Sequence, residues 1–147
     1  MTLQAHYRVA TESDLGRIKS FLKENGLPEL GVDRWVKNFV IAEDQDGSLV
    51  GVAGLELYDK SGLVRSVAVD NHFRGKGYGR ILVEAVVENA SARGLKTLYL
   101  LTEDASAYFK RLGFQAVDRK DVDRAVKASI EFTDMCEGAT VMRRVLS

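Results

Sequence analysis

One short stretch combines the residue types that could hold a phosphate group. It reads Arg74-Gly75-Lys76-Gly77-Tyr78-Gly79-Arg80 and lies between an apolar strand pattern and an apolar helix pattern. Glycines carry no Cβ, so a phosphate can approach the main-chain N–H groups. The first N–H groups of a helix have no partner within it and carry partial positive charge, to which three basic side chains add formal charge. The stretch therefore predicts an anion-binding loop, and a simple glycine-rich chain reversal is the alternative.

The spacing of the glycines excludes two common phosphate loops. A Walker loop needs four residues between its first glycine and Gly-Lys-Ser/Thr, and a dinucleotide fingerprint needs Gly-x-Gly-x-x-Gly. The pattern that fits is Arg-x-x-Gly-x-Gly after a strand, at Arg74, Gly77 and Gly79. This resembles the diphosphate-binding signature of the GCN5-related N-acetyltransferases (the GNAT family). The resemblance implies acetyl-CoA as cosubstrate.

Hydrophobic periodicity predicts the elements that position this loop. A Val-rich strand at 63–69 precedes it, a helix beginning at Ile81 follows it, and an apolar strand at 97–102 is expected to lie parallel to 63–69. Further strands are predicted at 6–10, 39–43, 49–58, 114–118 and 139–146, further helices at about 11–25, 33–38 and 105–112, and a charged, weakly amphipathic stretch at 119–137. The expected fold class is α+β.

Composition favours one soluble domain over residues 1–147. Lys and Arg together number 21, as do Asp and Glu, so no global field recruits nucleic acid or an anionic membrane. The single cysteine, Cys136, excludes an internal disulfide and a multi-cysteine metal site, so no metal is expected. The sequence shows no signal-peptide or membrane-span pattern, and we expect a cytoplasmic protein.

The resemblance extends from about Tyr7 to Val145 and implies the GNAT fold. That fold has a mixed, mostly antiparallel sheet with helices on both faces and a splayed parallel strand pair. Within the family, Gly54-Leu55-Glu56 and Arg65-Ser66-Val67 are similar to small acetyltransferases of arsenic-resistance operons. The second half of the chain is also similar to the acetyltransferase part of bacterial N-acetylglutamate synthases.

The implied function is transfer of the acetyl group of acetyl-CoA to the primary amine of a small, amino-acid-like molecule. Transfer would occur by direct attack in a ternary complex. The alternatives are a protein or peptide N-acetyltransferase and a non-catalytic acetyl-CoA sensor. The expected partner is a small-molecule amine. No nucleic acid or membrane partner is expected, and a homodimer is compatible with this function.

The resemblance also assigns roles to individual residues. Pantetheine is expected along the backbone of one strand segment and the diphosphate on the loop, which gives Val67, Ala68, Val69, Arg74, Gly75, Lys76, Gly77, Tyr78, Gly79 and Arg80 as coenzyme-binding residues. Glu56, near the end of an apolar strand, is the candidate general base, and a solvent-facing strand-end glutamate is the alternative. Arg65 lies inside an apolar strand, where an unpaired charge is costly. A carboxylate on the acceptor or a structural pair with Glu56 would explain it.

The chain departs from the family at the general acid. Most members carry a tyrosine five residues before the Phe of a Gly-Phe pair, and here that residue is Phe109. Tyr108 precedes it, but neighbours on a helix point about 100° apart, so Tyr108 is not expected to substitute. Water or another group would then protonate the coenzyme thiolate, and slower turnover is expected.

Overall fold

Seven strands and four α-helices make up the computed structural model, which describes residues 5–129 and 138–146. The strands are β1 (His6–Val9), β2 (Phe39–Glu43), β3 (Leu49–Tyr58), β4 (Ser61–Val69), β5 (Thr97–Thr102), β6 (Gln115–Val117) and β7 (Thr140–Val145). The helices are α1 (Leu15–Glu24), α2 (Val32–Trp35), α3 (Tyr78–Ala92) and α4 (Ser106–Arg111). Short 3₁₀ turns cover Glu12–Asp14, Val36–Asn38, Asn71–Phe73, Arg119–Asp121 and Val126–Ala128.

The strands belong to one mixed sheet in the order β1-β2-β3-β4-β5-β7-β6. Ser61 to Leu63 of β4 pair in parallel with Thr97 to Tyr99 of β5. The pairs β1–β2, β2–β3, β5–β7 and β6–β7 are antiparallel. The predicted mixed sheet with a parallel pair is confirmed.

Two compact units share these elements. The first comprises residues 5–55 and 66–86, and the second comprises 56–65, 87–129 and 138–146. In the first unit, α1 places apolar side chains three and four residues apart on one face. That face joins a core of Ala10, Ile18, Phe21, Leu22, Val32, Val36, Phe39, Ile41, Val52 and Ala68. The second unit has a core of Leu63, Tyr99, Val122, Val126 and Val141.

An ion network ties β1, β2 and the start of α1 together within the first unit. Arg8 donates to both carboxylate oxygens of Asp14 at 2.9 Å and to Glu43 at 2.8 Å. Thr11 N–H also donates to Asp14, at 2.8 Å. The hydrogen bonds from Arg8 lower the pKa of Asp14 to about 2. The hydrogen bond from Arg8 to Glu43 also lowers the pKa of Glu43 below its usual value.

Several element boundaries differ from the sequence expectation. α3 begins at Tyr78 rather than Ile81, β4 begins at Ser61 rather than Leu63, and β6 spans three residues where five were expected. The described part of the charged stretch, up to residue 129, contains two 3₁₀ turns. Cys136 lies outside the described residues. Within the described ranges, no helix combines the length and apolar character needed to cross a bilayer.

Candidate functional site

The glycine-rich loop takes a defined conformation at the end of β4. The carboxylate of Asp70 accepts a hydrogen bond from His72 N–H at 2.9 Å, which forms a turn before the loop. Gly75 and Gly77 then have φ values of +78° and +87°, the left-handed region that favours glycine. α3 starts directly after them. Its first helical hydrogen bond runs from the N–H of Ile81 to the carbonyl of Gly77, four residues earlier, at 3.2 Å.

Open space lies in front of this loop. A Cβ built on Gly75 or on Gly77 meets no heavy atom within 4 Å. A ligand group can therefore approach the main-chain N–H groups at the start of α3, where the helix also contributes partial positive charge. The residues present thus suit a phosphate, and their role in binding the coenzyme stays a prediction.

The three predicted cations occupy different positions. Lys76 is exposed, and its ammonium group lies 5.7 Å from the centre of the Phe73 ring. Arg80 is exposed on the first turn of α3. Arg74, although also exposed, donates from Nε to the carbonyl of Val69 at 3.0 Å and from Nη2 to Asn25 Oδ1 at 3.2 Å.

Tyr78 anchors the start of α3 through its side chain. It is buried, stacks on Tyr7 with 6.3 Å between ring centres, and meets the edge of Phe73 at 5.6 Å. The hydroxyl of Tyr7 is buried and has no hydrogen-bond partner among the described residues. Burial, followed by the effect of Tyr78, raises the pKa of Tyr7 to about 12. The aromatic contact explains why the helix starts earlier than its aliphatic pattern indicated.

The last residues of β4 alternate between the core and the surface. Ala68 belongs to the core of the first unit, while Val67 and Val69 are half-buried. Ser66, within β4, has φ +59°, an uncommon conformation for a residue with a side chain. Such strain persists only where the surroundings enforce it, and it concentrates at functional segments.

A buried cluster surrounds Glu56 in the second unit. Oε2 of Glu56 accepts a hydrogen bond from Arg65 Nη1 at 2.9 Å, and both side chains are only 1% exposed. Oε1 accepts from the hydroxyls of Tyr58 at 2.5 Å and Ser129 at 2.6 Å. The structural pair with Glu56 that was considered for Arg65 is therefore present, and Glu56 is not solvent-facing as its alternative interpretation required.

Among the described residues, one cation and two neutral donors hold the carboxylate of this cluster. A carboxylate has about four lone-pair positions, and the three hydrogen bonds to described residues use three of them. The three hydrogen bonds hold the Glu56 carboxylate in place, and one lone-pair position is not used by the described residues. The roles of Glu56 as base and of Arg65 as acceptor ligand stay predictions.

The position expected for a general-acid tyrosine contains a core residue. Phe109 is 8% exposed and packs edge-on against Phe114 at 6.1 Å and Tyr108 at 5.2 Å. Tyr108 is half-buried, with the guanidinium of Arg111 6.0 Å from its ring centre. Across residues 5–129 and 138–146, no group of three or more His, Cys, Asp or Glu side chains is placed to hold a metal ion.

Sequence reasoning missed several partners of the predicted residues, among them Tyr58, Ser129 and Asn25. Tyr58 lies two positions after Glu56 on β3, and side chains at that spacing share a face of a strand, so the signal was present. Ser129 and Asn25 lie 73 and 49 residues from their partners Glu56 and Arg74. No local pattern indicates contacts over such distances.

Comparison with known protein sequences points to the same family that the loop motif resembles. The family model described as Acetyltransferase (GNAT) domain matches residues 35–116, more than half of the chain. An uncharacterized N-acetyltransferase of Chlorobaculum tepidum is 34% identical over 86 residues, which are 58% of this chain and 54% of that protein. An amino-acid acetyltransferase of Azotobacter vinelandii is 32% identical over 131 residues, 80% of this chain and 30% of that protein. The chain thus spans about half or less of the length of these relatives.

Solved structures with the same fold cover nearly the whole chain. N-acetylglutamate synthase from Neisseria gonorrhoeae, complexed with coenzyme A and N-acetyl-glutamate, superposes with a TM-score of 0.83 at 21% identity, covering 100% of this chain and 36% of that chain. A Mycobacterium tuberculosis protein in complex with coenzyme A gives a TM-score of 0.81 at 24% identity, with 97% and 99% covered. The Escherichia coli N-acetyltransferase YhbS in complex with coenzyme A gives 0.75 at 21% identity, with 100% and 84% covered. At these identities the likeness establishes the fold.

Proposed function

Because the chain belongs to the GNAT acetyltransferase family, we propose that it transfers the acetyl group of acetyl-CoA to the primary amine of a small, amino-acid-like molecule. The observation that carries the proposal is the loop at 74–80, where two left-handed glycines leave open space in front of a helix start. The names of the relatives, N-acetyltransferase and amino-acid acetyltransferase, support both the reaction and the class of acceptor.

The coenzyme is held in this proposal by main-chain groups. The N–H groups of residues 75–80 bind the diphosphate, while the exposed side chains of Lys76 and Arg80 add positive charge nearby. The backbone of Val67, Ala68 and Val69 pairs with pantetheine as an added strand would. An N–H group of the same segment stabilises the tetrahedral oxyanion, a contribution often worth about 3 kcal/mol.

Acetyl transfer removes two protons from an ammonium group, one before the neutral nitrogen attacks and one as the amide forms. The nitrogen forms a bond to the thioester carbonyl carbon, the carbon–sulfur bond breaks, and the leaving thiolate takes up the second proton through water. A lysine-type amine, with a reference pKa of about 10.4, needs more help to lose its proton than an α-amino group near 8. We propose that Glu56 receives this proton, directly or through water, while Arg65, Tyr58 and Ser129 hold its carboxylate.

Arg65 has a second role in this proposal. Its guanidinium is a planar, cationic fork of N–H donors, and its Nη1 donates to Glu56. A carboxylate on the acceptor would find a matching partner in such a fork. One cation would then orient both the base and the substrate. Arg65→Lys keeps the charge but loses the fork, so it should raise KM for an acidic acceptor more than KM for acetyl-CoA.

Thiol release with a panel of free amino acids and short peptides tests the activity. The proposal expects release with at least one free amino acid and little with peptides; release with peptides alone would contradict the acceptor class. Glu56→Gln should flatten the rise of kcat/KM with pH, because the variant cannot take up the proton. A pH profile unchanged from the wild type would remove Glu56 from the role of base.

The buried phenyl ring at position 109 favours a second candidate, a non-catalytic acetyl-CoA-binding module. Phe109 offers no hydroxyl to the leaving thiolate, and Glu56 is enclosed by its partners. This candidate predicts saturable coenzyme binding without thiol release from any acceptor in the panel. Coenzyme binding and thiol release, measured on the same protein, therefore separate the two candidates.

A further inference from the structure

The first cation of the loop has hydrogen-bond partners that the diphosphate role does not require. Arg74 donates from Nε to the carbonyl of Val69, the last residue of β4, and from Nη2 to Asn25 Oδ1. Asn25 follows the last residue of α1, and its own Nδ2 donates to the carbonyl of Phe21 at 2.8 Å. One guanidinium therefore joins the end of β4 to the end of α1.

The geometry of the guanidinium makes this link specific for arginine. Nε and Nη2 lie on the same edge of the planar group, so they donate to the two acceptors through adjacent, nearly parallel N–H bonds. A lysine ammonium presents a point charge on a flexible stem and cannot reproduce that fork. The position also suits a cation, since the carbonyl end of α1 carries partial negative charge.

We propose that Arg74 and Asn25 form a bracket that holds the loop in its coenzyme-binding conformation. Arg74 is then a positioning residue, and the charge that meets the diphosphate comes from Lys76, Arg80 and the main chain. Arg74 begins the loop directly before Gly75, so a guanidinium anchored to β4 and α1 restricts the backbone that the two left-handed glycines leave flexible. The inference rests on the proposed function, because it assumes that coenzyme binds at this loop.

The alternative is that Arg74 contacts the diphosphate directly with its charge. The two roles differ in what Asn25 does, because Asn25 lies at the end of α1 and, among the described residues of the loop, is hydrogen-bonded to Arg74. They differ also in how binding responds to salt. A direct ion pair with phosphate weakens binding as salt screens it, whereas a bracket acts by geometry.

Calorimetric titration with coenzyme A at several salt concentrations tests the bracket. We expect Arg74→Lys to weaken binding about tenfold despite its unchanged charge, the effect of losing one or two hydrogen bonds to a charged donor. The dependence of log Kd on log salt should keep the wild-type slope. In turnover, KM for acetyl-CoA should rise in the same proportion while kcat stays near its wild-type value.

Variants at Asn25 separate the bracket from helix capping. Asn25→Asp keeps an acceptor for Arg74 but loses the donor to Phe21, and we expect it to bind coenzyme A within about threefold of the wild type. Asn25→Ala loses both groups and should weaken binding several-fold, with no further loss when it is combined with Arg74→Lys. Lys23→Gln, which removes a charge from the last turn of α1 outside the bracket, is the matched control and should bind like the wild type.

Three results would overturn the inference. Near-wild-type binding by Arg74→Lys, with a shallower salt slope in Arg74→Gln, would make Arg74 a direct ligand. Equal losses in Asn25→Asp and Asn25→Ala would assign Asn25 to helix capping alone. Wild-type protein that does not bind coenzyme A at all would overturn the proposed function and the bracket with it; the wild-type titration distinguishes that failure from the first two.

Discussion

Replacing Arg65 by methionine tests the buried cluster most severely. The change removes the cation that donates to Glu56 over 2.9 Å in a pair where both side chains are 1% exposed. Removing one partner of a buried ion pair leaves an uncompensated charge and typically costs about 3–5 kcal/mol. Because Tyr58 and Ser129 still donate to the other oxygen of Glu56, we expect a loss near the lower end, about 3 kcal/mol.

Urea unfolding followed by circular dichroism measures this loss, with the m-value as a check that the transition stays two-state. The matched control is Lys37→Met, which breaks the ion pair between Lys37 and Glu12 on the surface, where the two side chains are 72% and 75% exposed. An exposed pair of this kind contributes under about 1 kcal/mol. The double variant Glu56→Gln/Arg65→Met should recover about 1–2 kcal/mol relative to Arg65→Met, since it removes the unpaired charge but keeps an oxygen acceptor.

A small effect would refute this reasoning. If Arg65→Met destabilises the protein no more than Lys37→Met does, the pair is not the enclosed ion pair that its geometry indicates. If Glu56→Gln brings no recovery in the Arg65→Met background, the loss comes from packing of the arginine stem rather than from an unpaired carboxylate.

Two further predictions concern stability in the first unit. Gly54→Ala should cost about 1–3 kcal/mol, because the new Cβ would lie 2.4–2.8 Å from atoms of the fully buried Phe39 ring; Gly16→Ala in α1, with no heavy atom within 4 Å, should instead gain up to about 1 kcal/mol. Equal effects of the two substitutions in urea unfolding would contradict this account. The pKa of Asp14, lowered to about 2 by the hydrogen bonds from Arg8, contributes about 2 kcal/mol that is present above about pH 4 and is lost as pH falls toward 2. Arg8→Gln should remove most of that pH-dependent part in unfolding curves at pH 5 and pH 2.5, and an unchanged pH dependence would show that Arg8 is not its source.

The elements that repeat a local pattern could be predicted from sequence. The Val-rich run before the loop, the glycine-rich loop itself and the apolar strand at 97–102 each carry their signal within a few residues, and the parallel pairing followed from chain order. The start of α3 was misplaced because its first anchor is aromatic. Tyr78 is held by Tyr7, a residue on β1 that no helical periodicity includes.

The partners of the charged residues could be predicted only in part. That Arg65 needs an opposite charge followed from its apolar surroundings, and Glu56 was one of two candidates for it. The tertiary fold brings the two hydroxyl groups to Glu56 and the side-chain amide of Asn25 to Arg74. Hydrogen bonds between residues far apart in sequence arise from tertiary packing and leave no periodic trace.

Titration of acetyl-CoA into the wild type and two glycine variants tests the central claim most directly. Gly77→Ala and Gly47→Ala place the same methyl group at left-handed positions, φ +87° and +81°, where a Cβ meets no heavy atom within 4 Å. Only Gly77 belongs to the loop, so we expect saturable binding by the wild type and by Gly47→Ala, and at least tenfold weaker binding by Gly77→Ala. Absence of saturable binding by the wild type, or equal affinities for all three proteins, would contradict the assignment of this loop to the coenzyme diphosphate.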